Sequence, residues 1–224
     1  MALATTSQPI TEIHLRRTAC YGVCPDDELT IRTDGTATFR GMKSERAGDW
    51  RGTLSRDDAA RLVRTIESLG FAKLDPEYGE WNIDSPDYFV TVTRSGKSKT
   101  VVSHMQQVPQ VAPIITAILD VSAKVKWSPE PSGIEGRLLL KGKPIGDFPF
   151  AVVWRRPLRP PGRAERPPPH LQSRTYHALS DHDGHFRLPL LPGTYTIFGV
   201  TLVVQREHYT RRDITASRTH FSPR

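Results

Sequence analysis

Two cysteines four positions apart are the residues best suited by type to chemistry. Cys20 and Cys24 are the only cysteines among 224 residues, and they lie in the stretch RTACYGVCP with Gly22 between them. A tight loop with a central glycine brings two Cα atoms to the separation of about 4.4 to 6.8 Å that a disulfide needs. Because the closed ring is small, such a bond contributes about 2 kcal/mol. We favour a structural role in which the two cysteines pin the loop, whether they are oxidised to a disulfide or not.

Three other states of the cysteines stay open at this point. Redox or nucleophilic chemistry needs a thiolate close to cations such as Arg16 and Arg17, although the spacing differs from Cys-x-x-Cys. Zinc needs two further ligands, and the histidines of the first 127 residues, His14 and His104, are not at motif spacing. The fourth state is a pair of inert thiols. We predict that the protein uses no metal and no cofactor.

Two acidic clusters have the composition of sites but the pattern of turns. Residues 181–185 read DHDGH, yet a calcium loop places a bidentate acid at its twelfth position, where Pro192 stands. Residues 25–28 read PDDE and precede a strand, so we predict a solvated turn and no catalytic pair. The sequence has no glycine-rich phosphate loop, no Gly-x-Ser-x-Gly elbow and no His-Glu-x-x-His helix, so the usual nucleotide-binding, hydrolase and zinc-protease signatures are absent.

The net charge of +7 lies entirely in the second half of the chain. Residues 1–127 hold 16 Lys and Arg against 16 Asp and Glu, whereas residues 128–224 hold 15 against 8. Residues 155–169, RRPLRPPGRAERPPP, combine six prolines with five arginines: Arg155, Arg156, Arg159, Arg163 and Arg166. This composition predicts an extended, mobile loop. We interpret it first as a solvated loop with no partner, and the alternative is a contact with an acidic protein or another polyanion. Nucleic acid is the less favoured polyanion because the loop has no aromatic side chain to stack on bases.

Periodicity predicts a mixed α+β fold for the first half. ITEIHL alternates as a strand, and Asp34-Gly35 and Ser95-Gly96 mark the tips of two hairpins. SRDDAARLVRTIESLG has apolar residues at helical spacing, starts with Ser55 in a capping box and ends at Gly70. PIITAILDVSAKV predicts a second helix, with Pro113 in its first turn. We expect antiparallel strands packed with two helices.

The second half is all β by pattern. Turn residues at Gly142-Lys143-Pro144, Asp183-Gly184 and Pro192-Gly193 separate strands of about ten residues, which is typical of a β-sandwich. The stretch WSPEPSG, residues 127–133, interrupts both periodicities and predicts a linker near Ser128. We therefore expect two domains, residues 1–127 and residues 128–224.

The first half resembles a bacterial domain family of unknown function. RTACYGVCP fits that family's pattern Arg-Thr-x-Cys-aromatic-Gly-x-Cys-Pro, and an alternating strand, an Asp-Gly turn and a strand ending at Gly41 follow it. The resemblance covers roughly residues 10–125. The family usually has an aromatic residue two positions after the proline, where this chain has Asp27. The resemblance implies the α+β fold and assigns no reaction.

The second half is similar to carboxypeptidase regulatory-like domains, which are small transthyretin-type sandwiches. The similarity rests on IEGRLLLKGKPIGDFPFAVV and SDHDGHFRLPLLPGTYTI, in which these residues fall where that pattern expects them: Gly136, Gly142, Pro144, Asp183, Gly184, Phe186, Pro192, Gly193 and Tyr195. It implies an accessory, packing or binding role. Related transthyretin-like hydrolases end in a Tyr-Arg-Gly-Ser tail, whereas this chain ends THFSPR, so hydrolysis of that kind is not expected.

Together these observations predict a non-catalytic, two-domain binding or accessory protein. The alternative is a thiol-dependent redox enzyme that uses Cys20 and Cys24. MALATTSQPI has no basic cluster or apolar run, and no stretch approaches the roughly 18 apolar residues of a spanning helix, so we expect no transmembrane segment. The expected location is cytoplasmic if residue 1 is the true start, and periplasmic or secreted if a signal was removed or misassigned.

Overall fold

The computed structural model describes residues 8–21, 24–105, 107–155, 173–192 and 195–198. The chain divides into two compact units, Met1–Gly41 with Asp49–Pro129, and Met42–Gly48 with Glu130–Arg224. Within the described ranges, no helix has both the length and the apolar character needed to cross a membrane.

The first unit is built on a sheet of eight strands. They are β1 Ile10–Arg17, β2 Asp26–Arg32, β3 Thr36–Lys43, β4 Gly48–Thr53, β5 Glu77–Tyr78, β6 Tyr88–Arg94, β7 Lys97–Ser103 and β8 Lys126–Pro129. Their order in the sheet is β5-β7-β6-β1-β2-β3-β4-β8. The β5–β7 pair is parallel, whereas β1 pairs with both β2 and β6 in the antiparallel sense. Strand β8 includes residues that the sequence predicted to be a linker.

Two α-helices complete the mixed α+β fold of this unit. Helix α1 spans Arg56–Ser68, a short 3₁₀ helix spans Phe71–Lys73, and α2 spans Ala112–Ser122. The Ser55 hydroxyl accepts a hydrogen bond from the Asp58 amide at 3.1 Å, which confirms the predicted N-terminal cap. After α1, Gly70 has φ +70°, a conformation that glycine adopts at low cost. Pro113 lies in the first turn of α2, as predicted.

Alternating apolar side chains of the strands form one core with the helices. Ile13 lies opposite Ile31 and Leu15 opposite Leu29, and all four are nearly inaccessible to solvent. The helices add buried Ala59, Leu62 and Ile66 from α1, and Ile114, Ile115, Ile118 and Val121 from α2. Each buried Leu or Ile side chain contributes about 1.5 to 3 kcal/mol, so this core is the main source of the unit's stability.

Both predicted hairpins of the first unit are confirmed. At the β2–β3 turn, Gly35 has φ +91°, and a Cβ there would lie 2.6 Å from the Leu54 carbonyl oxygen. The Asp34 carboxylate accepts the Thr36 amide at 2.8 Å, which closes the turn. At the β6–β7 turn, Arg94 lies opposite Lys97 across Ser95 and Gly96.

The second unit is all β in its described residues. Its strands are β9 Gly133–Arg137, β10 Leu139–Leu140, β11 Lys143–Pro144, β12 Pro149–Arg155, β13 Ser173–Leu179, β14 His185–Pro189 and β15 Tyr195–Phe198. They form a three-stranded sheet, β13-β12-β15, and two pairs, β14-β9 and β10-β11. Buried side chains from the three-stranded sheet, from β14 and from residues next to β9 and β14 share one core: Leu138, Phe150, Val152, Tyr176, Leu188 and Leu190.

Some predictions for this unit are confirmed, and others lie outside the described residues. Gly184 has φ +80° in the predicted Asp183-Gly184 turn, and Gly142 has φ +78°. Two short strands, β10 and β11, flank Gly142 and pair with each other, so Lys143 and Pro144, which were predicted as turn residues, belong to β11. The predicted Pro192-Gly193 turn extends beyond the described residues. Four of the five arginines also lie outside them: Arg156, Arg159, Arg163 and Arg166. Arg155 ends β12, and only its backbone is described.

Candidate functional site

A disulfide closes the connection between β1 and β2. The Cα atoms of Cys20 and Cys24 lie 5.5 Å apart, and their sulfurs are at disulfide distance. Tyr21, inside the ring, has 86% of its surface exposed, and its amide donates a hydrogen bond to the Ile83 carbonyl oxygen at 3.2 Å. The small ring is therefore attached to the segment that precedes β6.

Thr18 binds this preceding segment at a second point. Its amide donates to the Asp87 carbonyl oxygen at 3.0 Å, and the Asp87 amide donates to the Thr18 hydroxyl at 2.9 Å. We name residues 75–87 the acidic loop, because they include five carboxylates and no lysine, arginine or histidine. Its end is thus fixed to the end of β1 by a reciprocal pair of hydrogen bonds.

A buried ion pair joins β1 to β2 beside the disulfide. The Arg17 guanidinium donates from Nε to Asp27 Oδ1 at 2.8 Å and from Nη2 to Oδ2 at 2.5 Å. Asp27 is only 1% exposed, so the prediction that PDDE is a solvated turn was wrong. The cause is cross-strand register: Arg17 lies directly opposite Asp27, and the guanidinium gives the buried carboxylate a bidentate partner. This is the position where the family that the first half resembles usually has an aromatic residue.

Residues of β1, β2, β3 and β4 form a second set of ion pairs. Arg16 pairs with Asp26 at 2.5 Å, and Arg40 pairs with Glu28 at 3.0 Å and with Asp49 at 2.7 Å. Most of these side chains are about one-fifth exposed, so they are largely shielded from solvent. The acids of PDDE are therefore engaged by arginines.

His104 follows β7 and lies between two carboxylates. Its Nδ1 is 2.8 Å from Asp87 Oδ1, and its Nε2 is 2.6 Å from Glu77 Oε1. These hydrogen bonds, first to Glu77 and then to Asp87, raise the pKa of the imidazole above its ordinary value. The two carboxylates favour the protonated form of the ring, in which both nitrogens donate, and the side chain links the end of β7 to both ends of the acidic loop.

The other candidate zinc ligand, His14, lies in the middle of β1, whereas the cysteines follow the end of that strand. Burial lowers the pKa of its imidazole, opposed by the nearby carboxylates Glu28 and Glu12. Among the described residues, no group of three or more His, Cys, Asp or Glu side chains is arranged to hold a metal ion. In the DHDGH stretch, Asp181 Oδ1 accepts the amides of Asp183 and His185, which is a turn contact.

Exposed apolar side chains stand beside the disulfide, and sequence reasoning missed them. Tyr21 is accompanied by Trp81 and Ile83, which are 67% and 61% exposed. Glu80 and Asp84 flank them and are exposed as well. The sequence signal for them was a tryptophan among acidic residues with no lysine or arginine nearby. The hydrogen bond between Tyr21 and Ile83 joins residues far apart in sequence, so no local pattern predicts it.

The first unit is thus an α+β domain with a small disulfide ring at one end of its sheet. Residues 11–121 match the family model described as "Domain of unknown function (DUF6438)", so this part of the chain is similar to that family. The match includes both cysteines, the Arg17–Asp27 pair and the acidic loop. No curated protein and no solved structure matches the chain.

Proposed function

We propose that the protein is a non-catalytic, two-domain binding or accessory protein. The observation that carries this proposal is the mutual pairing of reactive groups at the disulfide end: Cys20 is bonded to Cys24, and both ring nitrogens of His104 face carboxylates. Catalysis needs a nucleophile or a proton-transfer group that is available to a substrate. The exposed side chains at this end, Tyr21 and Trp81, are suited to binding by contact.

A thiol-dependent redox enzyme that uses Cys20 and Cys24 is the competing function. A disulfide is compatible with it, because exchange enzymes alternate between oxidised and reduced forms. A reactive thiolate, however, is stabilised by nearby cations. Arg16 and Arg17, the cations adjacent in sequence, are engaged by Asp26 and Asp27. This supports the binding function over the redox function.

For the second unit we propose an accessory domain of the carboxypeptidase regulatory-like, transthyretin type. The shared core of its sheets supports this, as does the packing of the Phe186 ring over Gly136, where a Cβ would lie 3.0 Å from the ring. The five arginines of residues 155–169 are proposed to contact an acidic protein or polyanion, which the charge asymmetry of the chain supports. The disulfide supports a periplasmic or secreted location, since such bonds persist in oxidising compartments.

Thiol titration of the full chain separates the two functions. We expect no reaction with a thiol reagent before reduction, in native or denatured protein. After reduction, both thiols should react with the reagent as slowly as an unactivated cysteine in a model peptide. A reduced thiol with an apparent pKa below about 7, together with turnover of a small disulfide substrate, would contradict the binding function and support the enzyme.

Retention on immobilised heparin tests the contact with an acidic partner. Replacing the five arginines of residues 155–169 with serine should abolish retention and leave the melting temperature within about 1 °C. The matched control removes five exposed cations of the first unit: Arg56, Arg61, Arg64, Lys73 and Lys97. The control lowers the net charge equally and should keep most of the retention. Equal retention of both variants would show that the segment has no special role.

A further inference from the structure

The exposed side chains beside the disulfide form a surface of unusual composition. We define the acidic–aromatic surface as Tyr21, Glu80, Trp81, Ile83 and Asp84, all of which are exposed. No lysine or arginine occurs between Lys73 and Arg94, so no cation of this segment neutralises the two carboxylates. Groups of exposed large apolar side chains commonly mark binding sites. The Tyr21–Ile83 hydrogen bond places Tyr21 beside the segment that carries Trp81 and Ile83.

The backbone under this surface is held in place from both sides. The disulfide ring and the Tyr21–Ile83 hydrogen bond hold one side. Within the acidic loop, Asn82 accepts the Asp84 amide at 2.9 Å, and its carbonyl accepts the Ser85 amide at 3.1 Å. A loop whose backbone is already ordered loses little conformational entropy on binding, which favours affinity. The exposed side chains are therefore presented on a backbone that is ordered before any ligand arrives.

The chemistry of the surface selects one kind of ligand. Carboxylates repel phosphate groups, which disfavours nucleic acid and anionic lipid. A guanidinium binds carboxylates and also stacks on the face of a tryptophan or tyrosine ring. Proline-rich segments adopt an extended polyproline conformation and pack on exposed aromatic side chains. Arginine and proline are thus the residues that this surface complements.

We propose that the acidic–aromatic surface binds an extended, arginine- and proline-rich peptide segment of a partner protein. This inference rests on the proposed binding function and names the chemistry of its ligand. A suitable probe is a 15-residue peptide with the sequence of residues 155–169, which has five arginines, six prolines and one acid. The receptor is the full chain with its own five arginines replaced by serine, so that its own segment does not compete with the probe.

Anisotropy of the fluorescently labelled peptide measures the binding at low salt. We expect saturable binding that Trp81→Ala weakens about 10-fold, through the loss of ring contacts. The double variant Glu80→Gln with Asp84→Asn should weaken it about as much and flatten its salt dependence. Leu179→Ala removes an exposed apolar side chain of the second unit, and Asp120→Asn with Glu135→Gln removes two other exposed carboxylates. Both controls should bind as the receptor does.

Variant peptides test the ligand's chemistry. Replacing the arginines with serine should abolish binding, and replacing the prolines with serine should weaken it about threefold, because the extended conformation is then no longer preorganised. No binding, or equal binding by the receptor and the Trp81→Ala variant, would overturn the proposal. If the receptor self-associates and Trp81→Ala abolishes this, the surface binds a second copy and the proposal is overturned. If the receptor binds zwitterionic lipid vesicles and Trp81→Ala abolishes this, the surface binds a membrane and the proposal is likewise overturned. The thiol titration is independent of all these outcomes, so the proposed function and this inference fail separately.

Discussion

Two polar clusters, one in each unit, hold distant parts of the chain together by different means. In the first unit the cluster is ionic: Arg17 with Asp27, and His104 with its carboxylates. In the second unit Ser180 is 2% exposed, its hydroxyl accepts the Phe148 amide at 3.0 Å, and it donates to the Ile145 carbonyl at 3.1 Å. The second cluster is neutral.

The difference predicts how each cluster responds to change. A buried charge depends on its partner, because a lone ion in a low-dielectric site costs several kcal/mol. A hydroxyl that bonds to backbone groups has a smaller desolvation cost and no pH dependence in the neutral range. Substitutions in the ionic cluster should therefore be more costly and more dependent on pH than those around Ser180.

The largest effect is expected from Asp27→Asn, which leaves the Arg17 guanidinium without its counter-charge. Breaking a buried ion pair costs about 3 to 5 kcal/mol, and since Arg17 remains one-fifth exposed we expect about 3 kcal/mol. Chemical denaturation measures the loss. Asp120→Asn, on the exposed side of α2, should cost less than about 0.5 kcal/mol. The double variant Asp27→Leu with Arg17→Leu should recover part of the stability that Asp27→Asn loses. An equal loss of stability in Asp27→Asn and in the double variant would contradict an ionic origin.

Removal of the disulfide should have the next largest effect. Cys20→Ser with Cys24→Ser frees a small ring, and the chain-entropy argument gives about 2 kcal/mol. The melting temperature should fall by a few degrees. Reduction of the parent should produce the same change, which controls for the serine side chains. An unchanged melting temperature would mean that the Thr18–Asp87 hydrogen bonds alone hold this end of the sheet.

Local patterns predicted the elements that are closed by local contacts. Ser55 and Gly70 bound α1, and the Asp34-Gly35 turn appears where expected, because capping and turn chemistry act within a few residues. Strand β8 was missed because Pro129 and Pro131 read as breakers. β8 lies at the edge of the sheet next to β4, where a proline without an N–H is tolerated.

The candidate site was predictable only in part. The Cys20–Cys24 spacing indicated a closed loop without any structural knowledge. The ionic cluster depends on long-range register: Arg17 meets Asp27 ten positions away, and His104 meets Glu77 27 positions away. No periodicity within one strand encodes such partners, so the acids of PDDE were interpreted as solvent-exposed.

A smaller effect is expected at the neutral cluster. Ser180→Ala leaves the Phe148 amide and the Ile145 carbonyl without this partner, at a cost of about 1.5 kcal/mol. The loss should be the same from pH 5.5 to pH 9 in denaturation experiments. Ser128→Ala, at an exposed position of β8, is the matched control and should change stability by less than about 0.5 kcal/mol. A pH-dependent loss at Ser180 would erase the distinction between the clusters.

The smallest expected effect is a pH dependence caused by His104. Because Glu77 and Asp87 raise its folded pKa above the unfolded value of about 6.5, its contribution is fully present below that pH and is lost as the pH rises through the folded pKa. We expect a loss of about 1 kcal/mol, the order of one charge-assisted hydrogen bond, between pH 6 and pH 9. His104→Gln should remove this slope. Burial lowers the pKa of His14, which gives the opposite pH dependence. The difference in unfolding free energy between the parent and His104→Gln cancels this contribution, because both proteins contain His14. Parallel pH profiles of the parent and His104→Gln would contradict a raised pKa of His104. The profile of Ser180→Ala should have the same slope as that of the parent.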